Sequence, residues 1–169
     1  MDQSIDKKID FKDRLFSFYN NNKIKIYSIL IILFISLVSF FFIKQNEKKK
    51  NNLAAERYIK AVSYLSSDSN EEAKKILEDI IFSKNKFYSI LALNLIIEKN
   101  LVLDEQKILE YFSVLEKIKI PEDKKDLIII KKALYFLKAS KNDNGNKLLK
   151  EVINKNSKFK SLAEEIMQQ

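Results

Sequence analysis

Residues 26–43 read IYSILIILFISLVSFFFI, eighteen residues without a charged side chain, and Lys25 and Lys44 stand at the two ends. As an α-helix with a rise of about 1.5 Å per residue, this stretch measures roughly 27 Å, close to the thickness of the hydrocarbon core of a bilayer. The sequence therefore predicts one transmembrane helix over 26–43.

A cleavable signal peptide is the alternative interpretation of an apolar stretch near the N-terminus. Such peptides end in a small-x-small cleavage site, whereas Lys44, Gln45, Asn46 and Glu47 follow this stretch. We therefore favour an anchor that stays in the chain.

The 25 residues before the span are too few to fold alone. Apolar and charged side chains alternate there in a way that predicts a short amphipathic helix on the membrane surface, ended by the three asparagines at 20–22. Its apolar residues are Ile9, Phe11, Leu15, Phe16 and Phe18.

The net charge of +8 is unevenly distributed, because half of it lies between residues 44 and 60. We interpret 44–52 as a basic juxtamembrane linker that contacts the anionic headgroups of the bilayer. The rest of the chain is nearly balanced and has no basic stripe or base-stacking pattern, so we expect no nucleic-acid partner.

The lysine and arginine counts do not orient the span. Positive flanks stay cytoplasmic, but six basic residues lie within about twenty residues of the span on each side. The orientation of the span in the membrane must therefore be inferred from another observation.

The amino-acid composition excludes most kinds of catalytic site. The chain has no cysteine, histidine or tryptophan, and one glycine and one proline. Zinc sites of the Cys/His type, Ser-His-Asp nucleophiles, redox dithiols and glycine-rich phosphate loops are therefore excluded. The carboxylate pairs at 71–72 and 164–165 are adjacent on helices and point about 100° apart. We expect no catalytic, metal-binding or cofactor-binding residue, no small-molecule substrate and no enzyme activity.

From residue 51 onward the apolar spacing is helical throughout, which predicts an all-α domain over 53–169. We place helices at 51–66, 70–83, 86–98, 104–118, 124–139, 143–155 and 158–167, separated by polar segments such as SSDSN at 66–70 and KNDNGN at 141–146.

The domain contains an internal repeat. Residues 58–91 align without a gap with 130–163, and ten of those 34 positions are identical. The displacement of 72 is twice 36, close to the 34-residue tetratricopeptide period, which predicts three helix-turn-helix units with a degenerate middle one. Small residues recur at matching positions, Ala61 with Ala133 and Ala73 with Gly145. An ordinary helical bundle is the alternative. The tryptophan and closing proline of such units are replaced by Arg57 and Asn85.

Two blocks joined by the basic run carry a family resemblance. They are DFKDRLFSFYNNNKIKIYSILIILFISLVSFFF at 10–42 and LAAERYIKAVSYLSSDSNEEAKKILEDIIFSKNKFYSILALNLI at 53–96. In this order the chain resembles the tetratricopeptide-like family of ancillary SecYEG translocon subunits, in its alphaproteobacterial form. The resemblance implies a bacterial inner-membrane protein with a cytoplasmic N-terminus and a periplasmic helical domain. It also implies translocon subunits and periplasmic chaperones as partners, and handover of secreted chains between them.

Repeats of this type present a concave face built mainly from the first helix of each unit. The candidate protein-binding residues on that face are Tyr58, Val62 and Leu65 in the first unit and Ile130, Leu134 and Leu137 in the last. The alternative is that these large apolar residues are core.

Three functional hypotheses follow. The first is a membrane-anchored interaction module at the secretion translocon. The second is a general envelope scaffold or adaptor, for cell division or stress signalling, that binds a folded partner. The third, a cytoplasmic-facing receptor, requires the opposite orientation.

Overall fold

The computed structural model describes residues 11–168, with side chains from Arg14 onward, and every regular element in that range is a helix. The elements are α1 (Phe11–Ser66), α2 (Asn70–Phe82), α3 (Tyr88–Glu98), α4 (Glu105–Glu116), α5 (Glu122–Lys138), α6 (Asn142–Asn154) and α7 (Lys160–Met167). The chain divides into two compact units between Lys48 and Lys49. The all-α prediction is confirmed.

The first unit consists, in its described part, of the N-terminal part of α1. This helix is long and apolar enough to cross a membrane. The prediction that residues 20–22 end a helix is wrong, because α1 runs through all three asparagines. An interior asparagine costs only about 0.7 kcal/mol relative to alanine, and the Asn22 side chain donates a hydrogen bond to the Phe18 carbonyl at 3.0 Å. The amphipathic prediction lies partly outside the described residues, since it includes Ile9.

The predicted linker at 44–52 is also helical. Its lysines, glutamine and glutamate are good helix formers, and it contains neither glycine nor proline. Because nothing in this sequence terminates a helix, the polarity that suggested a linker does not interrupt α1.

The second unit, Lys49–Gln169, contains the rest of α1 and helices α2 to α7. Each of α2 to α7 begins and ends within two residues of its predicted position. Asp104 caps α4, because its carboxylate accepts hydrogen bonds from the backbone N–H groups of Gln106 and Lys107 at 2.8 and 3.4 Å. Pro121, with a φ of −54°, leads into α5.

The core of this unit has two clusters. The larger joins Ala61 of α1 to buried residues of α2, α3, α4 and the start of α5, with Tyr111 and Phe112 among its largest side chains. The smaller joins Ile130 and Ala133 of α5 to α6 and Ala163 of α7. Helix α5 contributes to both clusters and therefore links them.

The repeat is visible in the turns, which recur at a spacing of 72 residues. Between α1 and α2, Asp68 has a φ of 57°, and the Ser69 N–H donates to the Tyr64 carbonyl at 2.9 Å. Between α5 and α6, Ser140 has a φ of 59°, and the Lys141 N–H donates to the Phe136 carbonyl, also at 2.9 Å. Both have the hydrogen bond of a Schellman C-cap.

The following turns match in the same way. Lys84 after α2 has a φ of 56° and Asn156 after α6 a φ of 51°, and each backbone N–H donates to the carbonyl three residues earlier, at 3.1 and 3.0 Å. Backbone geometry thus repeats even where residue identity does not.

Replacing Ser140 by glycine is expected to stabilise the fold by about 1 kcal/mol, because a left-handed conformation costs a non-glycine residue about that much. Glycine at the neighbouring Ala139, whose φ is −84°, should destabilise it. Urea unfolding of the full chain in detergent, followed by circular dichroism, measures both changes. A loss of stability in Ser140→Gly would contradict the strain assigned to this turn.

At two pairs of positions, the first and last helices carry polar residues where interior helices carry apolar ones. On α1, Glu56 and Ser63 are exposed, whereas the equivalent residues of α5, Ile128 and Tyr135, pack against the larger cluster. On α7, Glu164 and Glu165 occupy the places that Ala92 and Leu93 fill in α3, where both are buried. We call these positions the polar faces of α1 and α7.

Candidate interaction surface

The six residues predicted for a concave face form three pairs of equivalent positions, and the exposure differs from pair to pair. Tyr58 packs against the larger cluster, and Ile130, 3% exposed, belongs to the smaller one. Leu65 and Leu137 are half-buried, and Leu137 packs against the smaller cluster. Val62 and Leu134 are 40% and 44% exposed. Two of the six residues are therefore open to solvent, and at least three contribute to the core.

Leu137 has a specific packing role. A Cβ atom added to Gly145 of α6 would lie 2.7 Å from Cγ and Cδ2 of Leu137 and 3.1 Å from the Ala133 carbonyl oxygen. Glycine thus lets α6 approach α5 closely. The sequence prediction of a small contact here agrees with this geometry, but Leu137 serves the helix-helix contact and is not a free binding residue.

The exposed pair extends along α1. Ile59, 68% exposed, lies three residues before Val62 and therefore on the same side of the helix. In α5 the residue equivalent to Ile59 is Lys131, so Leu134 has a charged neighbour at that spacing. Among the described residues, these positions form a small apolar surface on α1 and α5, the first helices of the first and third repeats.

A small cleft lies between the ends of α3, α4 and α5. It is lined by Ile97, Val102, Ile108 and Tyr135, with polar groups from Asn100 and Lys138, and has a volume of about 180 Å³. Small-molecule sites usually span about 300–1,000 Å³. The cleft is smaller than this range, and we assign no small-molecule site to it.

A polar cluster that the sequence did not reveal joins α2 to α4. Glu78 accepts hydrogen bonds from the Tyr111 hydroxyl at 2.6 Å and from the Lys107 ammonium at 2.7 Å, both at Oε1. Burial raises the pKa of Glu78, but the hydrogen bonds from Lys107 and Tyr111 and the charge of Lys107 outweigh it, so the pKa lies below its usual value.

The pKa values of the two residues that bind Glu78 shift in the opposite direction. Burial, followed by the hydrogen bond to Glu78, raises the pKa of Tyr111, and the hydrogen bond to Glu78 raises the pKa of Lys107. At neutral pH the carboxylate is charged, the phenol neutral and the ammonium charged. These charge states favour the two hydrogen bonds to Glu78, so the cluster ties α2 to α4 at neutral pH.

Replacing Glu78 by glutamine is expected to lower the free energy of unfolding by about 1–2 kcal/mol at pH 7, because a charge-assisted hydrogen bond is lost. The folded-state pKa is depressed, so the contribution of Glu78 is present above the unfolded pKa of about 4.3 and is lost as pH falls through the folded value. Urea unfolding at pH 7 and pH 3 tests this. A difference between wild type and Glu78→Gln that does not shrink at pH 3 would contradict it.

Polar side chains at equivalent positions tie the α1–α2 and α5–α6 hairpins to the loops that follow them. In the first helix-turn-helix repeat, the Asn85 side chain donates to Asn51 Oδ1 at 2.7 Å and accepts from the backbone N–H groups of Phe87 and Tyr88. In the third, Ser157 Oγ donates to the buried Asp126 at 2.5 Å and accepts from the Phe159 N–H. Asn85 and Ser157 are 72 residues apart, so the repeat period could have identified the pair but not their partners.

Comparisons with protein-family models, curated proteins and solved structures find no match for this chain. The assignment of function therefore rests on the residues and contacts of this chain and on the resemblance noted in the sequence.

Proposed function

We propose that this protein is a membrane-anchored protein-protein interaction module of the tetratricopeptide type, an ancillary subunit of the bacterial secretion translocon. Its N-terminus is cytoplasmic, its helical domain is periplasmic, and it helps to transfer secreted chains to periplasmic chaperones. The observation that carries the proposal is the 72-residue repetition of turns and small-residue contacts in a domain that follows a charge-free apolar helix.

The anchor is supported by the surface of α1. The large apolar side chains between residues 27 and 43 are 39% to 68% exposed, which is a continuous apolar surface far larger than soluble monomers expose. A lipid environment also requires that polar groups be satisfied within the helix. Ser28 meets this requirement, since its hydroxyl donates to the Ile24 carbonyl at 2.9 Å.

The tetratricopeptide assignment is supported by the spacing of the helices. The pairs α1 with α2, α3 with α4, and α5 with α6 are three consecutive hairpins, and the first and third are displaced by 72 residues, or twice 36. Both second helices carry a small buried residue at the same place, Ala73 and Gly145. These features match the small-residue contact between the paired helices of such a unit.

The interaction role is supported by Val62 and Leu134, the equivalent residues that remain exposed on first helices. Surface leucine and valine residues at repeated positions suit the binding of an extended apolar segment. The residues on which the translocon assignment rests are those of the sequence resemblance.

A fusion of alkaline phosphatase after Gln169 tests the orientation. The enzyme folds in the periplasm, so activity is expected. Activity of a cytoplasmic reporter at the same position, without phosphatase activity, would contradict the periplasmic assignment.

Photo-crosslinking in living cells tests the partner. A photoreactive amino acid at Leu134 is expected to yield adducts with translocon subunits or secreted chains, and the same probe at Lys150, on the exposed side of α6, is expected to yield fewer. Adducts at Leu134 with a single folded envelope protein, and none with translocon subunits, would favour the scaffold hypothesis instead.

A further inference from the structure

The loops at one end of the repeat domain are all basic. The loops after α2 (83–87, SKNKF), α4 (117–121, KIKIP) and α6 (155–159, KNSKF) each contain two lysines and no carboxylate. The loops after α1 (67–69), α3 (99–104) and α5 (139–141) carry net charges of −1, 0 and +1. We call the first three the basic loops.

The basic loops lie at the same end of the domain. Consecutive helices joined by short connections are antiparallel neighbours, so connections that follow even-numbered helices lie together. Side-chain contacts agree, since Asn85 bonds to Asn51 in α1, and Lys158 pairs with Asp123 in the first turn of α5 at 2.5 Å. The basic loops, Asn51 of α1 and the beginnings of α3, α5 and α7 therefore share one end of the domain.

The charge asymmetry persists when neighbouring groups are counted. With the four-residue helical turn on either side of each loop, the end with the basic loops carries +4 and the opposite end −3. Lys155 and Lys158 are paired with Glu151 and Asp123. In contrast, Lys84, Lys117 and Lys119 are exposed and have no carboxylate within 4 Å in the described part of the chain.

An aromatic residue accompanies the lysines. Phe87 ends the first basic loop and is 56% exposed, and the equivalent Phe159 of the third loop is half-buried against the smaller cluster. Lysines beside an exposed aromatic ring are typical of surfaces that contact a bilayer interface, where the ring enters the headgroup region and the ammonium groups meet lipid phosphates.

We propose that the basic loops form a docking surface for an anionic lipid bilayer. The inference rests on the proposed membrane anchor, because the chain from Ile43 to Asn51 reaches at most roughly 30 Å, which keeps this end of the domain close to headgroups. Electrostatic attraction then acts at high effective concentration. Docking holds the basic loops against the bilayer and leaves the loops at 67–69, 99–104 and 139–141 in solution.

Because the chain contains no cysteine, a single introduced cysteine can be labelled specifically. The full chain is placed in nanodiscs of phosphatidylcholine alone or with 30% phosphatidylglycerol, and carries one introduced cysteine with an environment-sensitive fluorophore. The probe is at Ser83 in a basic loop, or at Ser67 in the opposite loop as control. Quenching by nitroxide-labelled lipids reports proximity to the bilayer.

At Ser83 we expect at least threefold stronger quenching in the anionic nanodiscs than in the neutral ones, and loss of this difference in 0.5 M NaCl. The difference in quenching between the two lipids should also be lost in the variant that has glutamine in place of Lys84, Lys86, Lys117 and Lys119. A control with glutamine at Lys75, Lys99, Lys138 and Lys147 should keep it, and Ser67 should show weak quenching in both lipids.

Equal quenching of Ser83 in both lipids, or an unchanged signal in the basic-loop variant, would overturn the proposal. Tight binding of a single-stranded oligonucleotide to the basic loops in neutral nanodiscs, abolishing quenching in the anionic ones, would assign them to nucleic acid instead. Incorporation into nanodiscs tests the anchor separately, because a chain without an anchor fails to co-elute with the discs at all.

Discussion

A chain in which Leu33 and Leu37 are both replaced by lysine is expected to leave the membrane fraction. An apolar residue at the centre of a membrane helix contributes about −0.3 to −0.6 kcal/mol to insertion, and a lysine costs about 2.5–3.5 kcal/mol. Two replacements therefore cost about 6–8 kcal/mol, as much as the remaining apolar residues of the span provide. Carbonate extraction of membranes, followed by immunoblotting of pellet and supernatant, measures the result.

The matched control replaces two exposed apolar residues of the second unit, Leu53 and Ile59, by lysine. This chain adds the same charge but leaves the span intact, so it should stay in the carbonate-resistant pellet. If the Leu33→Lys, Leu37→Lys chain behaves like the control, residues 26–43 are not the anchor.

Replacement of Gly145 by valine is expected to destabilise the domain by about 3 kcal/mol. The new Cβ would lie 2.7 Å from the Leu137 side chain and 3.1 Å from a backbone carbonyl of α5, and the two valine methyl groups need further space. Overpacking of this kind typically costs about 1–3 kcal/mol. The higher helix propensity of valine offsets only about 0.4 kcal/mol of this cost. Urea unfolding of the full chain in detergent measures the loss.

A second substitution separates packing from other causes. Leu137→Ala removes the atoms that clash, so the double variant should be at least 1 kcal/mol more stable than the sum of the single changes predicts. Asn144→Val, at the exposed neighbouring position of α6, should change stability by less than about 0.5 kcal/mol. Additive effects of Gly145→Val and Leu137→Ala would contradict the direct contact.

Local signals were sufficient for the helices of the second unit but not for α1. Polar loops, the Asp104 cap and Pro121 mark the ends of α2 to α6 because each acts within a few residues. The asparagines at 20–22 and the lysines after the span are polar without being helix terminators, and interpreting the asparagines as the end of a helix gave a wrong boundary. Neither segment contains glycine or proline, and that absence was the better guide.

The repeat period predicted which residues are equivalent but not which way they face. Ile130 and Leu134 are one helical turn apart on α5, yet one is 3% exposed and the other 44%. This difference depends on where α6 and α7 lie against α5, which is tertiary information. The same limit applies to Glu78 and Tyr111, which are 33 residues apart and meet only because α2 packs beside α4.

The polar faces of α1 and α7 bear on how copies of this protein behave when crowded. A membrane anchor of the kind proposed above confines molecules to two dimensions and raises the frequency of collisions between their domains. Repeat domains with apolar ends can join head to tail, and a heterologous contact of that kind continues into a filament. Here such a junction would place Glu56 of one copy, together with Glu164 and Glu165 of another, in a contact without water. We therefore expect the carboxylates at these positions to oppose head-to-tail contact between copies of the domain.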